Sequence, residues 1–133
     1  VIEHVERMTV AWVDTDASGL IHYTAALRWF EVAEHALVRT LLGGAGLPGE
    51  RTFLLPRVHV EADYRAPLRY PDEFTCAARV TAIGRTSVTF GYEVRRTDEV
   101  VAIVGRIVAV AVDLSGAPIP LPAEVRNAFG RAL

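Results

Sequence analysis

An α+β fold, with an antiparallel sheet of about five strands wrapped around one long helix, follows from three features of the sequence. One long stretch carries helical periodicity. Nearly everything after it alternates with the period of a strand, and the strand-like runs are joined by turns short enough for hairpins. The 133 residues read as one domain, 1–133, long enough to bury a core without disulfide or metal staples. A composition that is 51% hydrophobic is rich for a chain of this size and implies burial against a partner subunit as well as within the fold.

Glu3 to Val13 reads as a strand, with Met8, Val10 and Trp12 on one face. Asp14 to Gly19 is a turn, because Asp and Ser bond locally to backbone and Gly tolerates positive φ. From His22 to Leu42 the period becomes helical. Ala26, Trp29, Phe30, Ala33, Leu37 and Leu41 form an apolar stripe opposite Arg28, Glu31, Glu34, His35 and Arg39. Gly43 to Gly46 ends that helix, and Pro48 and Gly49 extend the loop. Arg57 to Arg65 alternates without a slip, Val58, Val60, Ala62 and Tyr64 facing one way and Arg57, His59, Glu61, Asp63 and Arg65 the other. Ala66-Pro67-Leu68 breaks that run and Tyr70-Pro71-Asp72 turns it.

Glu73 to Ile83 follows with Phe74, Cys76, Ala78 and Val80 in phase, and Gly84-Arg85 is a short hairpin connection. Thr86 to Arg96 places Val88, Phe90, Tyr92 and Val94 in phase, and Thr97-Asp98 turns again. Val100 to Val112 is apolar at nearly every position. It is expected to be a central strand buried on both faces, under the helix on one side and a second subunit on the other. Leu114 to Leu133 is Pro-rich and then forms a short amphipathic helix, expected at the periphery.

The formal charge of −2 argues against nucleic acid, which needs a basic face for counterion release. A single cysteine, Cys76, excludes an intrachain disulfide and supplies no metal cluster. Its apolar neighbours mark it as an inert core thiol. All the basic side chains are arginines, so Schiff-base and lysine-base chemistry is excluded. No segment approaches the ~18 apolar residues of a membrane span. No charged-then-apolar leader is visible either, and a cytoplasmic location is expected.

The stretch Val13 to Tyr23 holds the candidate chemistry. A helix start offers unpaired N–H donors and a positive dipole end, near Tyr23 and Thr24, while Asp16 lies just upstream. A carboxylate beside such donors is the minimum equipment for acyl transfer, as nucleophile or as a base activating water. Asp14 reads as scaffold, and Asp16 as either a turn former or the reacting acid. His22 is either an acid/base or substrate-orienting group or a solvated first-turn residue, and Tyr23 matters chiefly through its backbone N–H. His35 and Glu31 read as a surface pair one turn apart, and His4 has no supporting neighbours. His59 sits with the charged face of its strand, solvated or lining a pocket. Arg65, Arg69, Arg85, Arg95 and Arg96 are candidates for phosphate, or else strand-edge charges; Arg85-Thr86-Ser87 presents a guanidinium and two hydroxyls on one tight turn.

With these residues in place, the sequence resembles the hotdog-fold acyl-CoA thioesterases of the 4-hydroxybenzoyl-CoA thioesterase-like group, which includes bacterial thioesterases associated with the Tol–Pal system. The likeness runs from Val5 to about Leu121. It is carried by D-T-D-A-S-G-L-I-H-Y, Asp14 to Tyr23, with L-R-W-F-E, Leu27 to Glu31. A-D-Y-R-A-P-L-R-Y-P-D-E-F and I-G-R-T-S-V-T-F-G-Y-E-V carry it further. The resemblance implies that Asp16 is the catalytic carboxylate and that the Tyr23 N–H opens the oxyanion site. It also implies that Arg85 and Ser87 hold the phosphates or pantetheine arm of coenzyme A.

It further implies sites formed between subunits of a homo-oligomer, a dimer or a tetramer. Trp12 and Tyr23 stand where the Tol–Pal-associated subgroup has tyrosine and histidine, and Tyr23 is similar instead to the hydroxybenzoyl-CoA subgroup. Ala26 replaces an aromatic found in many members. The expected function is hydrolysis of an acyl thioester of coenzyme A or acyl carrier protein, coenzyme A being part of the substrate and no separate cofactor or metal being used. Trp12, Tyr23 and His59 are expected at the acyl pocket, with Gly19, Thr24 and Arg65 completing the substrate-contacting set. The alternatives are a non-catalytic acyl-thioester binding module and a hotdog hydratase or dehydratase. The latter's Asn-Pro between a close aspartate and histidine is missing from Ala17 to Ile21.

Overall fold

The structure, a computed structural model, describes residues 1–44 and 52–133. Strand β1 (Glu3–Thr9) leads through a 3-10 turn (Trp12–Asp14) into helix α1 (Ala25–Leu41). Then follow β2 (Phe53–Leu54), β3 (Arg57–Tyr64), β4 (Glu73–Ile83), β5 (Ser87–Arg96), β6 (Val101–Val110), β7 (Val112–Asp113) and α2 (Ala123–Gly130). Five strands make one antiparallel sheet in the order β1-β4-β5-β6-β3, and β2 pairs with β7 in a separate ribbon.

Alternation fixes which face of the sheet is covered. Phe74, Cys76, Ala78 and Val80 of β4 and Val88, Phe90, Tyr92 and Val94 of β5 are all buried, and Cys76 pairs with Val94, Ala78 with Tyr92 and Val80 with Phe90, so these side chains share one face. Helix α1 lays Ala26, Trp29, Phe30, Ala33 and Leu37 on it. Trp29 packs on Phe74 at 4.3 Å between centroids, and Phe30 stacks on Tyr92 at 4.5 Å. Gly105 of β6 leaves the space that Phe30 fills, since a Cβ there would collide with its ring. No helix among the described residues is long and apolar enough to cross a membrane.

Several expectations need correction. The first strand stops at Thr9, not Val13. The Val10 N–H is taken by Asp72 O at 2.8 Å, and the Asp14 carboxylate accepts the Ala11 N–H at 2.8 Å, closing the 3-10 turn. Trp12 therefore leaves the inner face, 75% exposed, and meets Tyr70 edge-on at 5.3 Å. Helix α1 begins at Ala25 rather than His22, because His22 O accepts the Ala25 N–H and turns the chain first. Gly43 and Gly44 follow it at positive φ; the rest of the expected glycine loop, Ala45, Gly46, Pro48 and Gly49, lies outside the described residues.

Glu34 is buried and not on the polar face of α1. Its carboxylate takes both Arg57 nitrogens, Nη1 at 3.1 Å and Nη2 at 2.5 Å, and the Tyr92 hydroxyl donates to it. Arg57 gets there because β3 does slip: a bulge between Arg57 and His59 turns Arg57 onto the helix face, in register with Ala109. Strand β3 is an edge strand, and Val58, Val60 and Tyr64 stay exposed. Strand β6 lies second from that edge. Its helix-side residues Ile103, Ile107 and Ala109 are buried, while on the other face Val104 and Val108 are half-buried and Arg106 is exposed. The second cover is not supplied by the described residues.

The C-terminal helix is not peripheral. Leu121, Val125, Ala128, Phe129 and Ala132 are buried, and Phe129 meets Phe90 edge-on at 5.9 Å. Arg126 donates to Gly84 O and Arg85 O, both at 2.9 Å, and the Leu121 N–H donates to Arg85 O at 2.9 Å. The tail thus clamps the β4–β5 hairpin.

Candidate active site

The loop between β1 and α1 is a small built object. Asp14 is buried, its carboxylate holding the Ala11 N–H and the Arg28 guanidinium, and its carbonyl accepting the His22 N–H at 2.7 Å. These bonds make it scaffold. Asp16 to Gly19 then doubles back: Asp16 N–H donates to Leu20 O at 3.0 Å, Gly19 N–H donates to Asp16 O at 3.1 Å, and Thr15 bridges to Ile21. Gly19 stands at φ 83°, a left-handed conformation that favours glycine. The Ile21 N–H donates to Leu68 O at 3.2 Å and Leu20 bridges to Arg69, strapping the loop to the segment after β3.

The Asp16 side chain is exposed but not free. Oδ1 accepts the Ser18 N–H at 2.8 Å and the Ser18 hydroxyl at 2.5 Å, while Oδ2 has no partner among the described residues. The Ser18 hydroxyl first, then its N–H, holds the Asp16 carboxyl below the usual carboxylate range. The outcome is an ionised acid fixed by one oxygen and open at the other.

At the start of α1 the donors are unequal. Thr24 N–H is engaged by His22 Nδ1 at 3.3 Å, and the Thr24 hydroxyl also lies 2.7 Å from Nδ1. His22 thus ties down the Thr24 N–H and stacks on Tyr23 at 4.6 Å between centroids. The Tyr23 N–H has no acceptor among the described residues, and the residue is 68% exposed. Cavities flank this point. One of about 380 Å³ is lined by Val13, Asp14, Thr15, His22, Thr24 and Arg28, another of about 300 Å³ by Leu20, Ile21, Tyr64, Arg65 and Leu68.

Asp16, Gly19, His22, Tyr23 and Thr24 all lie on the one loop between β1 and α1, and Arg65 lines the cavity beside Leu20 and Ile21. The other expected substrate contacts lie elsewhere in the chain. His59 is on the sheet face away from α1, 3.5 Å from Glu61 and 3.4 Å from Arg106. Arg85 and Ser87 occupy the β4–β5 hairpin, at the far end of a strand whose near end, at Asp72–Glu73, adjoins this loop. Eleven residues of β4 separate the two ends, about 35 Å at the usual strand rise. Arg95 and Arg96 are paired with Glu93 and Asp98. His4 pairs with Glu6 at 2.6 Å, and Glu31 and His35 are exposed with no ion pair between them among the described residues. Cys76 is buried, its thiol pushed up to about 12 by burial, as suits an inert core residue.

Sequence reasoning missed Tyr64 as a polar partner of the loop: its hydroxyl donates to Tyr23 O across 41 residues of chain. The signal was its place at the end of the strand run leading into Arg65. An aromatic whose body fits the apolar face there has a polar tip free to reach past it.

A sequence profile described as the Thioesterase superfamily matches residues 18–103. A 1,4-dihydroxy-2-naphthoyl-CoA hydrolase of Synechococcus sp. (strain CC9605) is 34% identical over 111 residues, covering 79% of this chain and 74% of the relative. Among solved structures, a "predicted thioesterase" from Bacillus stearothermophilus superposes with a TM-score of 0.85 at 25% identity, covering 99% of this chain and 97% of that one. A DHNA-CoA thioesterase from Staphylococcus aureus superposes with a TM-score of 0.84 at 18% identity, covering 98% and 91%, a likeness of fold.

Proposed function

The chain belongs to the thioesterase superfamily, and on that premise we propose that it is a hydrolase of acyl thioesters of coenzyme A, with an aromatic acyl group as the substrate class. The aromatic preference rests on the curated relative, which is a hydrolase of a dihydroxynaphthoyl thioester. The observation that carries the mechanism is a restrained carboxylate with one open oxygen, set in the same short loop as an unpaired backbone N–H at a helix start.

The thioester carbonyl sits with its oxygen toward the Tyr23 N–H, where the positive end of α1 adds to the stabilisation of the developing oxyanion. The open oxygen of Asp16 either attacks the carbonyl carbon, expelling the thiolate and leaving an anhydride that water cleaves, or takes a proton from the water that attacks. Both routes end in a carboxylic acid and free thiol, and both need Asp16 ionised, which its Ser18 bonds secure. Arg85 and Ser87 act on the phosphates or arm of coenzyme A bound at a neighbouring subunit's loop, since about 35 Å of strand separates them from Asp16 of their own chain. The edge strand β3, with Val58, Val60 and Tyr64 exposed, and the uncovered face of β6 are surfaces suited to such a homo-oligomer.

A panel of aromatic and aliphatic acyl-CoA esters, assayed with wild type and Asp16→Asn, tests the reading. Wild type turns over aromatic esters, and the folded variant loses about a thousandfold in kcat/KM. Full activity in a folded Asp16→Asn protein would falsify the assignment, and tight binding without turnover by wild type points to a binding module instead.

A further inference from the structure

The residue proposed to polarise the thioester carbonyl is itself held by a side chain 41 residues away in the chain. Around Tyr23 the flanking backbone is committed: His22 N–H to Asp14 O at 2.7 Å, Ala25 N–H to His22 O at 2.9 Å, and Thr24 N–H to His22 Nδ1 at 3.3 Å. The first turn of α1 does not use the Tyr23 carbonyl, because the Leu27 N–H goes to Thr24 O at 3.1 Å. Among the described residues the Tyr23 carbonyl has one donor, the hydroxyl of Tyr64. We propose that Tyr64 is a positioning residue for the oxyanion site, its hydroxyl fixing the Tyr23 residue so that the N–H stays aimed at the reacting carbonyl. This rests on the thioesterase reading above.

Tyr64 is well placed for the task. Its backbone pairs in register with Ile103, and the next residue's N–H donates to Ala102 O at 2.7 Å, so its origin is a sheet and not a loop. Its ring also walls the 300 Å³ cavity beside Leu20 and Ile21. Burial, with the neighbouring Tyr23 phenol, raises its ionisation above the ordinary tyrosine value, so the hydroxyl is a donor throughout the neutral range. A hydrogen bond serving stability alone lowers Tm when removed and leaves both kinetic constants unchanged in the folded protein. A positioning bond shows in kcat, because misaiming a donor weakens the transition state more than the ground state.

The test compares wild type, Tyr64→Phe and Asp16→Asn, each as purified assembled protein, on an aromatic acyl-CoA that wild type hydrolyses. Tyr64→Phe lowers kcat about tenfold with KM within about twofold. In the slow Asp16→Asn background, the bound thioester carbonyl stretch lies below its value in buffer, and adding Tyr64→Phe reverses part of that displacement. Should Tyr64→Phe not fold, Tyr64→Gln, which keeps a donor, against Tyr64→Met, which has none at similar length, gives the same comparison, Gln retaining the higher kcat. Unchanged kcat with only a lower Tm, or a loss confined to KM, overturns the inference while leaving the thioesterase reading intact if Asp16→Asn is dead. A wild type with no turnover removes both.

Discussion

Ser18 holds the Asp16 carboxylate by two bonds to the same oxygen, and with Asp16 as the proposed reacting acid these bonds set the expected response of the rate to acid. A carboxylate lowered in the fold stays ionised below the ordinary value of ~3.9, so the acid limb of kcat/KM lies below that value in wild type. Ser18→Ala removes the hydroxyl, the largest cause of the shift, and keeps the backbone N–H. The acid limb then moves to higher pH, read from rate profiles between about pH 3 and 7; an unmoved limb means that Asp16 is not the titrating group. The stability linkage has the same sign. The contribution is present above the unfolded carboxylate value and lost as pH falls through the lower folded one. Asp14 and Asp16 were separable in the sequence only by their distance from the helix. Their hydrogen bonds separate them physically, since Asp14 spends its carboxylate on Ala11 and Arg28 while Asp16 keeps an oxygen open. For Tyr64 the sequence showed only an aromatic with a polar tip at the end of a strand run; which partner that tip meets depends on tertiary approach across 41 residues, which no local pattern encodes.

At the scale of elements, the Glu34–Arg57–Tyr92 cluster ties α1 to two strands. Removing Glu34 alone leaves the buried Tyr92 hydroxyl without its acceptor, at a cost of about 2 kcal/mol, while the Arg57 guanidinium, still partly exposed, keeps its access to water. Glu34→Ala and Arg57→Ala combined lose less than the sum of the two, with a coupling of more than ~1 kcal/mol in a denaturation cycle; additivity means that the contact carries no interaction energy. The cluster also explains why the apolar stripe of the helix was legible in the sequence and the burial of Glu34 was not. Helical period assigns a residue to a face by its neighbours, and a charge on the boundary is buried only if a partner arrives, here through a bulge in β3. β4, whose bounds match the reading residue for residue, was legible because Phe74, Cys76, Ala78 and Val80 alternate beneath the helix, ahead of the irregularity at Val80/Ala82. The two-residue strands β2 and β7 are too short to carry a period and went unread, and α2 was read as peripheral because its packing on Phe90 is set by tertiary contact.

For the whole molecule, the decisive fact is that the chain places the parts of the proposed site at opposite ends of one strand. Asp16 and Tyr23 lie where β4 begins, and Arg85 and Ser87 where it ends, in a hairpin clamped by Arg126 and Leu121. The clamp argues that the hairpin is held out deliberately, and not folded back toward its own loop. If a neighbour's hairpin completes each site, two defective proteins can repair each other. Asp16→Asn and Arg85→Ala, each weak alone at low substrate, are mixed, dissociated and reassembled. In a two-fold assembly half of the pairs are mixed, and each mixed pair holds one site with both wild-type parts, so about a quarter of wild-type activity returns. A site built within one chain predicts no recovery beyond the sum of the two parents, and a monomer in sedimentation removes the arrangement altogether. The exposed edge of β3 offers a way to control the experiment, since Val60→Glu places a charge on that free edge and is expected to shift the assembly toward monomer and abolish the recovery together.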